Sequence, residues 1–262
     1  MITSARNPKV QRIRALQRLT KRRTAAGAFV VEGVRLAEEA LRSSWPVRLA
    51  LYTAELAARH EGLVRALHAR GVAEQVSAAV MQVASDTKSP QGVLLEVELR
   101  RLPLPKALNF MLILDGVADP GNLGTLLRSA AAADCDAVLL APGCADPLSP
   151  KVLRSAMGAH FHQPVLSQTW TGIHSLVRQR NLQTFLAEAW QGDPYDQQDL
   201  TRPLALILGG EARGAGEEAA KLKPKPLQIP MPGRIESLNV AAAGSILLFE
   251  IVRQRRPRAA QL

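Results

Sequence analysis

Short continuous apolar runs alternate with longer stretches in which apolar residues recur every three or four positions. The runs are the length of buried strands, and the spaced stretches read as helices. Val10, Ile13, Leu16 and Leu19 fall at helical spacing and predict a helix over residues 1–23. Strands are expected at 29–31, 47–52, 75–76 and 93–97, and helices at 34–43, 56–70 (stopped by Gly71) and 79–84. This α/β alternation fills about 100 residues, enough for a small domain. Residues 100–108 follow, where Pro103, Pro105 and the charge between Arg100 and Lys106 mark a linker.

A second unit, 109–262, opens with the apolar run 109–114. Helices are expected at 123–133, 151–157, 172–180 and 240–249, and strands at 138–141, 182–187, 204–208 and 227–231. Apolar strands alternating with helices imply a parallel sheet covered on both faces, so the fold class is α/β.

Charge narrows the class of partner. The chain of 262 residues carries a formal net charge of +10, which favours polyanions. The cations cluster: Arg6, Lys9, Arg12, Arg14, Arg18, Lys21, Arg22 and Arg23 precede the first acidic residue, Glu32, and the C-terminus carries Arg253, Arg255, Arg256 and Arg258. The N-terminal group reads as an ordered basic amphipathic helix suited to phosphates. A membrane-surface helix has a similar look, but Pro8 and sparse apolar content disfavour it. Aromatics make up 4%, too few for base stacking to dominate a nucleic-acid contact. The N-terminus lacks the apolar core of a signal peptide, and no apolar run approaches the ~20 residues of a membrane span, so a cytoplasmic location is expected. Cys135 and Cys144 form no Cys-x-x-Cys pair and read as idle thiols. His160 and His162 would share one face of a strand, but without supporting ligands no metal is expected.

Candidate chemistry sits where α/β sheets bind ligands, at the carboxyl ends of strands. The first loop runs Asp115 to Gly124 and leads into a helix carrying Arg128; Asn122 is placed as its N-cap. The second is Gly209-Gly210-Glu211-Ala212-Arg213-Gly214-Ala215-Gly216, whose glycines let main-chain amides approach a ligand. It has neither G-x-G-x-x-G spacing nor a Gly-Lys-Ser/Thr, so neither a dinucleotide nor a triphosphate is indicated. The third is Leu227 to Phe249: a strand, the Pro232-Gly233 turn, then Ser237-Leu238-Asn239, with Ser237 placed as the N-cap of the last helix. Ala241, Ala242, Ala243 and Gly244 leave that helix bare on one side, open to a ligand or another backbone. No Ser-His-Asp, Cys-His or paired-carboxylate arrangement suggests hydrolysis.

Taken in order, Asp119-Pro-Gly-Asn122-Leu-Gly…Arg128, Gly209-Gly-Glu211…Gly214 and Ile229-Pro-Met231…Ser237-Leu238-Asn239 resemble the three motifs of the SpoU branch of the SPOUT RNA methyltransferases. The resemblance covers about 110–252, and residues 151–165 look like the family's link between its first two motifs. Residues 1–99, with Glu32-Gly33 and Thr87 to Gly92, resemble its small α/β RNA-binding domain. The resemblance implies a trefoil knot in 109–262, a homodimer built with the final helix, and S-adenosylmethionine as cofactor. The cofactor would be held by Gly209, Gly210, Gly214, Ile229, Met231 and Leu238. The implied reaction is methyl transfer to a ribose 2′-hydroxyl of RNA, with no metal and no membrane. Arg128 would orient the adjacent phosphate and stabilise the developing alkoxide, with Asn122, Glu211, Ser237 and Asn239 completing the catalytic shell. Arg6, Lys9, Arg12, Arg14, Arg18 and Lys88 would bind RNA phosphates. A separate N-terminal domain suits a large structured target, so by analogy ribosomal RNA is preferred to transfer RNA, with guanosine at the modified site. The competing class is a non-catalytic RNA-binding or ribosome-assembly protein that keeps the fold.

Overall fold

Pro8, with no N–H to satisfy, starts the first helix, and the Asn7 side chain accepts the Lys9 amide at 2.9 Å. In the computed structural model, which describes residues 1–211, 214–234 and 236–256, the chain forms two compact units. One is Met1–Arg101 with Asp146–His162; the other is Leu102–Ala145 with the chain from Gln163 on.

The first unit contains α1 (Pro8–Arg18), α2 (Thr20–Ala26), β1 (Ala28–Glu32), α3 (Val34–Arg42), β2 (Val47–Thr53), α4 (Ala54–Arg59), α5 (Glu61–Ala69), β3 (Ala73–Val76), α6 (Ala78–Ala84) and β4 (Val93–Glu98). Its sheet has the order β1-β4-β2-β3, with only β2 and β3 parallel. Val10, Ile13 and Leu16 of α1 are buried in a core with Leu51, Val80, Met81 and Leu94. The apolar face of the basic helix is therefore spent on this domain's own core rather than offered to a membrane.

The single helix expected over 1–23 breaks at Leu19, which is extended (φ −120°, ψ 111°). The break lets Arg23 fold back and donate through Nη1 to the Leu16 and Gln17 carbonyls, at 2.6 and 3.0 Å, satisfying acceptors that the helix end leaves open. The helix expected at 56–70 is likewise divided, at His60, into α4 and α5.

The second unit holds β5 (Phe110–Asp115), α7 (Pro120–Ala132) and β6 (Ala137–Leu140). The chain then contributes α8 (Pro150–Ala156) to the first unit and returns for β7 (Val165–Ser167), α9 (Trp170–Gln179), β8 (Gln183–Glu188), β9 (Asp193–Pro194), β10 (Leu204–Gly209), α10 (Glu217–Ala220), β11 (Lys225–Gln228) and α11 (Val240–Arg255). The strand order is β7-β6-β5-β10-β8-β11-β9, all parallel. Both faces are covered. Met111, Ile113, Ala205 and Ile207 pack with Ile173 and Val177 of α9. On the other face, Gly244 of α11 lies so close to Leu126 of α7 and Leu208 of β10 that any Cβ there would collide with both. The bare side of the last helix is thus filled at Gly244 by this packing, not by a ligand.

Residues 146–162 depart from the division at 109 expected from the sequence, because they join the first unit. Phe161 packs against Trp45 and Phe29, with ring centroids 5.3 and 6.2 Å away. His160 and His162 do not lie on a strand, since 159–161 is a 3-10 turn. His160 is buried, which pushes its pKa down to about 4, while His162 is exposed and bonds Glu39 at 3.2 Å. That hydrogen bond is the main reason the Glu39 carboxyl sits below its usual range.

Candidate functional site

The carboxyl ends of β5, β10, β8 and β11 carry the loops that form the site. Asp115, at the end of β5, accepts the Gly216 amide on its Oδ2 at 2.7 Å, and its carbonyl accepts the Gly210 amide at 2.8 Å. The loop after β10 is thereby tied to the loop after β5. A Cβ at Gly209 would collide with the backbone of Gly214 and Ala215, and one at Gly210 with the Gly116 carbonyl, so both positions require glycine. Gly214 adopts φ +65°. Ala212 and Arg213 of this loop, Ile235 of the third, and Arg258 near the C-terminus lie outside the described residues.

Two helix caps differ from expectation. Asp119, not Asn122, caps α7 by accepting the Asn122 amide at 2.9 Å, because Pro120 takes the first helical position and the cap is the residue before it. Asn239, not Ser237, caps α11: its Oδ1 accepts the Ala241 and Ala242 amides at 2.9 and 3.3 Å. Ser237 lies two residues too early and is exposed.

This arrangement frees both asparagine amides for each other. With its oxygen held by α11, Asn239 presents Nδ2 to Asn122 and donates to Oδ1 at 3.0 Å. That fixes Asn122, whose Nδ2 donates to Glu211 Oε1. Residues from the start of α7, the start of α11 and the loop after β10 therefore form one directed relay, Asn239 to Asn122 to Glu211, in which the carboxylate is the terminal acceptor.

The relay borders a cavity of about 480 Å³, within the ~300–1,000 Å³ common for small-molecule sites. Gly209, Gly210, Gly214, Ile229, Met231 and Leu238, the expected cofactor residues, all line it, as do Glu211, Ser237 and Asn239. Leu208, Leu227, Val240 and Ala243 supply more apolar wall. The sequence reading missed the fourth side, Ala187 to Trp190 after β8, although the rule that points to strand ends applies there too. Arg128 is not part of the lining; it is exposed on α7. Burial pushes the Cys135 thiol up to about 12 and raises that of Cys144, so both are unreactive at neutral pH. Among the described residues, no group of three or more His, Cys, Asp or Glu could hold a metal ion.

The expected phosphate-binding cations divide into two kinds. Arg12 donates to both oxygens of the buried Glu96, at 2.7 and 2.6 Å, and this bond raises its pKa. Lys9 pairs with Glu74, and Arg14 is partly buried. Arg6, Arg18 and Lys88 are exposed, as are Lys21 and Arg22. At the other end, Arg255 is committed to the carbonyls of Leu200, Arg202 and Asn109 and to the Phe110 ring, 5.1 Å from its centroid; Arg253 pairs with Glu250.

An all-parallel sheet with a cavity at its strand ends, glycine-lined on one side and bordered by a polar relay on another, defines an α/β ligand-binding domain with neither a dinucleotide nor a triphosphate fingerprint. Residues 109–249 match the model of the SpoU rRNA Methylase family, and residues 7–95 that of the MRM3-like substrate binding domain. A 23S rRNA (guanosine(2553)-2′-O)-methyltransferase of Bacillus subtilis (strain 168) is 36% identical over 253 residues, covering 95% of this chain and 98% of its own. A 23S rRNA (uridine(2479)-2′-O)-methyltransferase of Streptomyces viridochromogenes is 31% identical, with coverage of 96% and 92%. The AdoMet-bound rRNA methyltransferase from Sinorhizobium meliloti superposes with a TM-score of 0.86 at 31% identity, covering 98% of each chain. The chain belongs to the SpoU rRNA Methylase family.

Proposed function

We propose that this chain is an S-adenosylmethionine-dependent methyltransferase acting on a ribose 2′-hydroxyl of ribosomal RNA. The observation that carries the reading is the relay Asn239–Asn122–Glu211 at the edge of a cavity of cofactor size. The relatives that span nearly the whole chain support the substrate. One is named for a guanosine and another for a uridine, so guanosine remains a preference only.

The residues present fit the cofactor. Gly209, Gly210 and Gly214 add no side chain to the cavity, Leu227, Ile229 and Val240 form apolar wall, and the polar groups gather at the relay. When bound, S-adenosylmethionine supplies an electrophilic methyl group on a sulfonium. This chain's task is to hold the 2′-oxygen in line and stabilise the charge it gains. Glu211, oriented through Asn122, accepts a hydrogen bond from the ribose hydroxyl, and Ser237 adds a further hydroxyl to the same edge.

The reading includes a homodimer. Ile246 and Phe249 of α11 are 38% and 45% exposed, an apolar pair one helical turn apart beside the α7–α11 contact. Arg128 is exposed on α7 and absent from its own cavity's lining, which suits a site completed by a second copy, where it would orient the phosphate. A trefoil knot within 109–262 is also part of the reading and rests on the family to which these residues belong. Residues 1–99 would hold the RNA, and free thiols at Cys135 and Cys144 suit a cytoplasmic setting.

The test is transfer of labelled methyl groups to ribosomal RNA and, separately, to transfer RNA, followed by nuclease mapping. Ribose-methylated product from the ribosomal pool is the expected result. Label in transfer RNA alone would overturn the substrate, and no transfer despite cofactor binding, with assembled ribosomal particles also tried, would favour the non-catalytic alternative.

A further inference from the structure

Trp190 is 67% exposed, while lining the cavity wall after β8. An indole left in water is costly, and here its backbone is held in place. The Ala189 carbonyl accepts from Gln228 Nε2 at 3.3 Å, and Asp193 and Pro194 pair with β11. Between them, Gly192 has φ +119° and lies so close to the Pro226 carbonyl that a Cβ would collide with it. The loop is thus pressed onto β11 and presents the indole at the rim in a fixed place.

The sheet order decides which part of a ligand meets it. β8 lies two strands from β5, about 10 Å at ~4.8 Å per strand, so Trp190 stands on the far side of β10 from Asn122. The wall around it is apolar: Ala187, Ala189, Leu227 and Ile229. A planar, apolar group belongs there, while the reacting methyl belongs at the relay.

We infer that Trp190 is a binding residue for the cofactor's adenine ring, a stacking platform that closes over the purine at the β8 side of the cavity. The inference rests on the proposed cofactor. Glu188, exposed at the same rim, would suit the cofactor's ammonium group instead, and comparing two ligands separates these possibilities.

The test is calorimetric titration of the full-length wild type, Trp190→Ala and Trp190→Phe with S-adenosylhomocysteine and, by competition, with adenosine. Tryptophan fluorescence is followed in parallel, and a thermal melt confirms that each variant is folded. Trp190→Ala is expected to weaken both ligands by a similar factor, on the order of 10-fold, with Trp190→Phe recovering most of it. Quenching of the exposed indole on binding should vanish in both variants. Unchanged affinity in Trp190→Ala overturns the inference. Loss for S-adenosylhomocysteine with adenosine unaffected overturns the purine assignment by placing the indole at the amino-acid end. Wild type that binds neither ligand sinks the cofactor reading, and this inference with it.

Discussion

Asn239 has two jobs on opposite ends of one amide, and Asn239→Asp separates them. The oxygen caps α11; the nitrogen donates to Asn122 Oδ1 at 3.0 Å. Aspartate caps a helix as well as asparagine does, and its charge suits the helix dipole, so the cap survives. The donor does not. Asn122 must then turn its own Nδ2 toward the new carboxylate and present its oxygen to Glu211, or stay in place with two acceptors opposed. Either way the bond to the Glu211 carboxylate is lost or strained, and a hydrogen bond to a charged group is worth about 1.5–3 kcal/mol. At 1.4 kcal/mol per tenfold, kcat/KM for methyl transfer should fall by about 10- to 100-fold.

Stability should respond in the opposite order. Asn239→Asp should melt near the wild-type temperature, whereas Asn239→Ala loses the cap, at about 1 kcal/mol, and should melt a few degrees lower. The assay pairs methyl-transfer kinetics with thermal melts of the three proteins. A fully active Asn239→Asp would refute the relay. An Asn239→Asp that melts as low as Asn239→Ala would refute the assignment of the cap.

Three further outcomes follow from the first unit. Changing the exposed Arg6, Arg18, Lys21 and Arg22 together to Gln should flatten the salt dependence of RNA binding by about 3 in log–log slope, at ~0.7–0.9 per phosphate contact, and an unchanged slope would remove this face from the RNA site. Arg12→Gln should instead remove both charged hydrogen bonds to Glu96, which is 1% exposed and keeps Arg48 at 3.9 Å, and cost about 1–3 kcal/mol in urea unfolding. His160, with a folded pKa near 4 against 6.5 unfolded, gives stability that is full above pH 6.5 and lost as pH falls toward 4, because the unfolded chain binds the extra proton. The loss is on the order of 3 kcal/mol. His160→Leu should flatten urea midpoints across that window, and an unchanged slope would mean that another group titrates.

The central strands of the second unit were legible because they are apolar: Phe110–Asp115 and Leu204–Gly209 are buried on both faces, and burial of that kind needs a continuous run, whereas the short edge strands β7 and β9 went unread and β11 begins two residues earlier than expected, at Lys225. The ligand loops were legible for a related reason, since glycine and asparagine at strand ends have few structural alternatives. The caps were harder. Asp119 and Asn122 both suit a cap, and the choice turned on Pro120 taking the first helical position. The break at Leu19 depends on Arg23 returning to bond the carbonyls of Leu16 and Gln17, a tertiary contact that no local pattern carries. Charge was legible as a sum but not residue by residue: Arg6 and Arg12 look alike in sequence, and only the fold sets Glu96 beside one of them.

The same caps also shape the electrostatics of the site. Asn122 lies in the first turn of α7 and Asn239 is the cap of α11, so the relay joins the starts of two helices, of 13 and 16 residues. Each helix start carries a partial positive charge worth about 0.3–1 kcal/mol to a nearby anion, and more when water is excluded. Glu211 accepts from Asn122 between these two helix starts. An oxygen that loses its proton beside Glu211 would meet the same two fields and would also feel the carboxylate's repulsion. Arg128 of the same chain is exposed on α7 and does not line the cavity. In the proposed dimer, a second copy packed over Ile246 and Phe249 would cover that exposed apolar pair and could bring its own positive charge to the ribose side, so one contact would serve both the apolar face of α11 and the site.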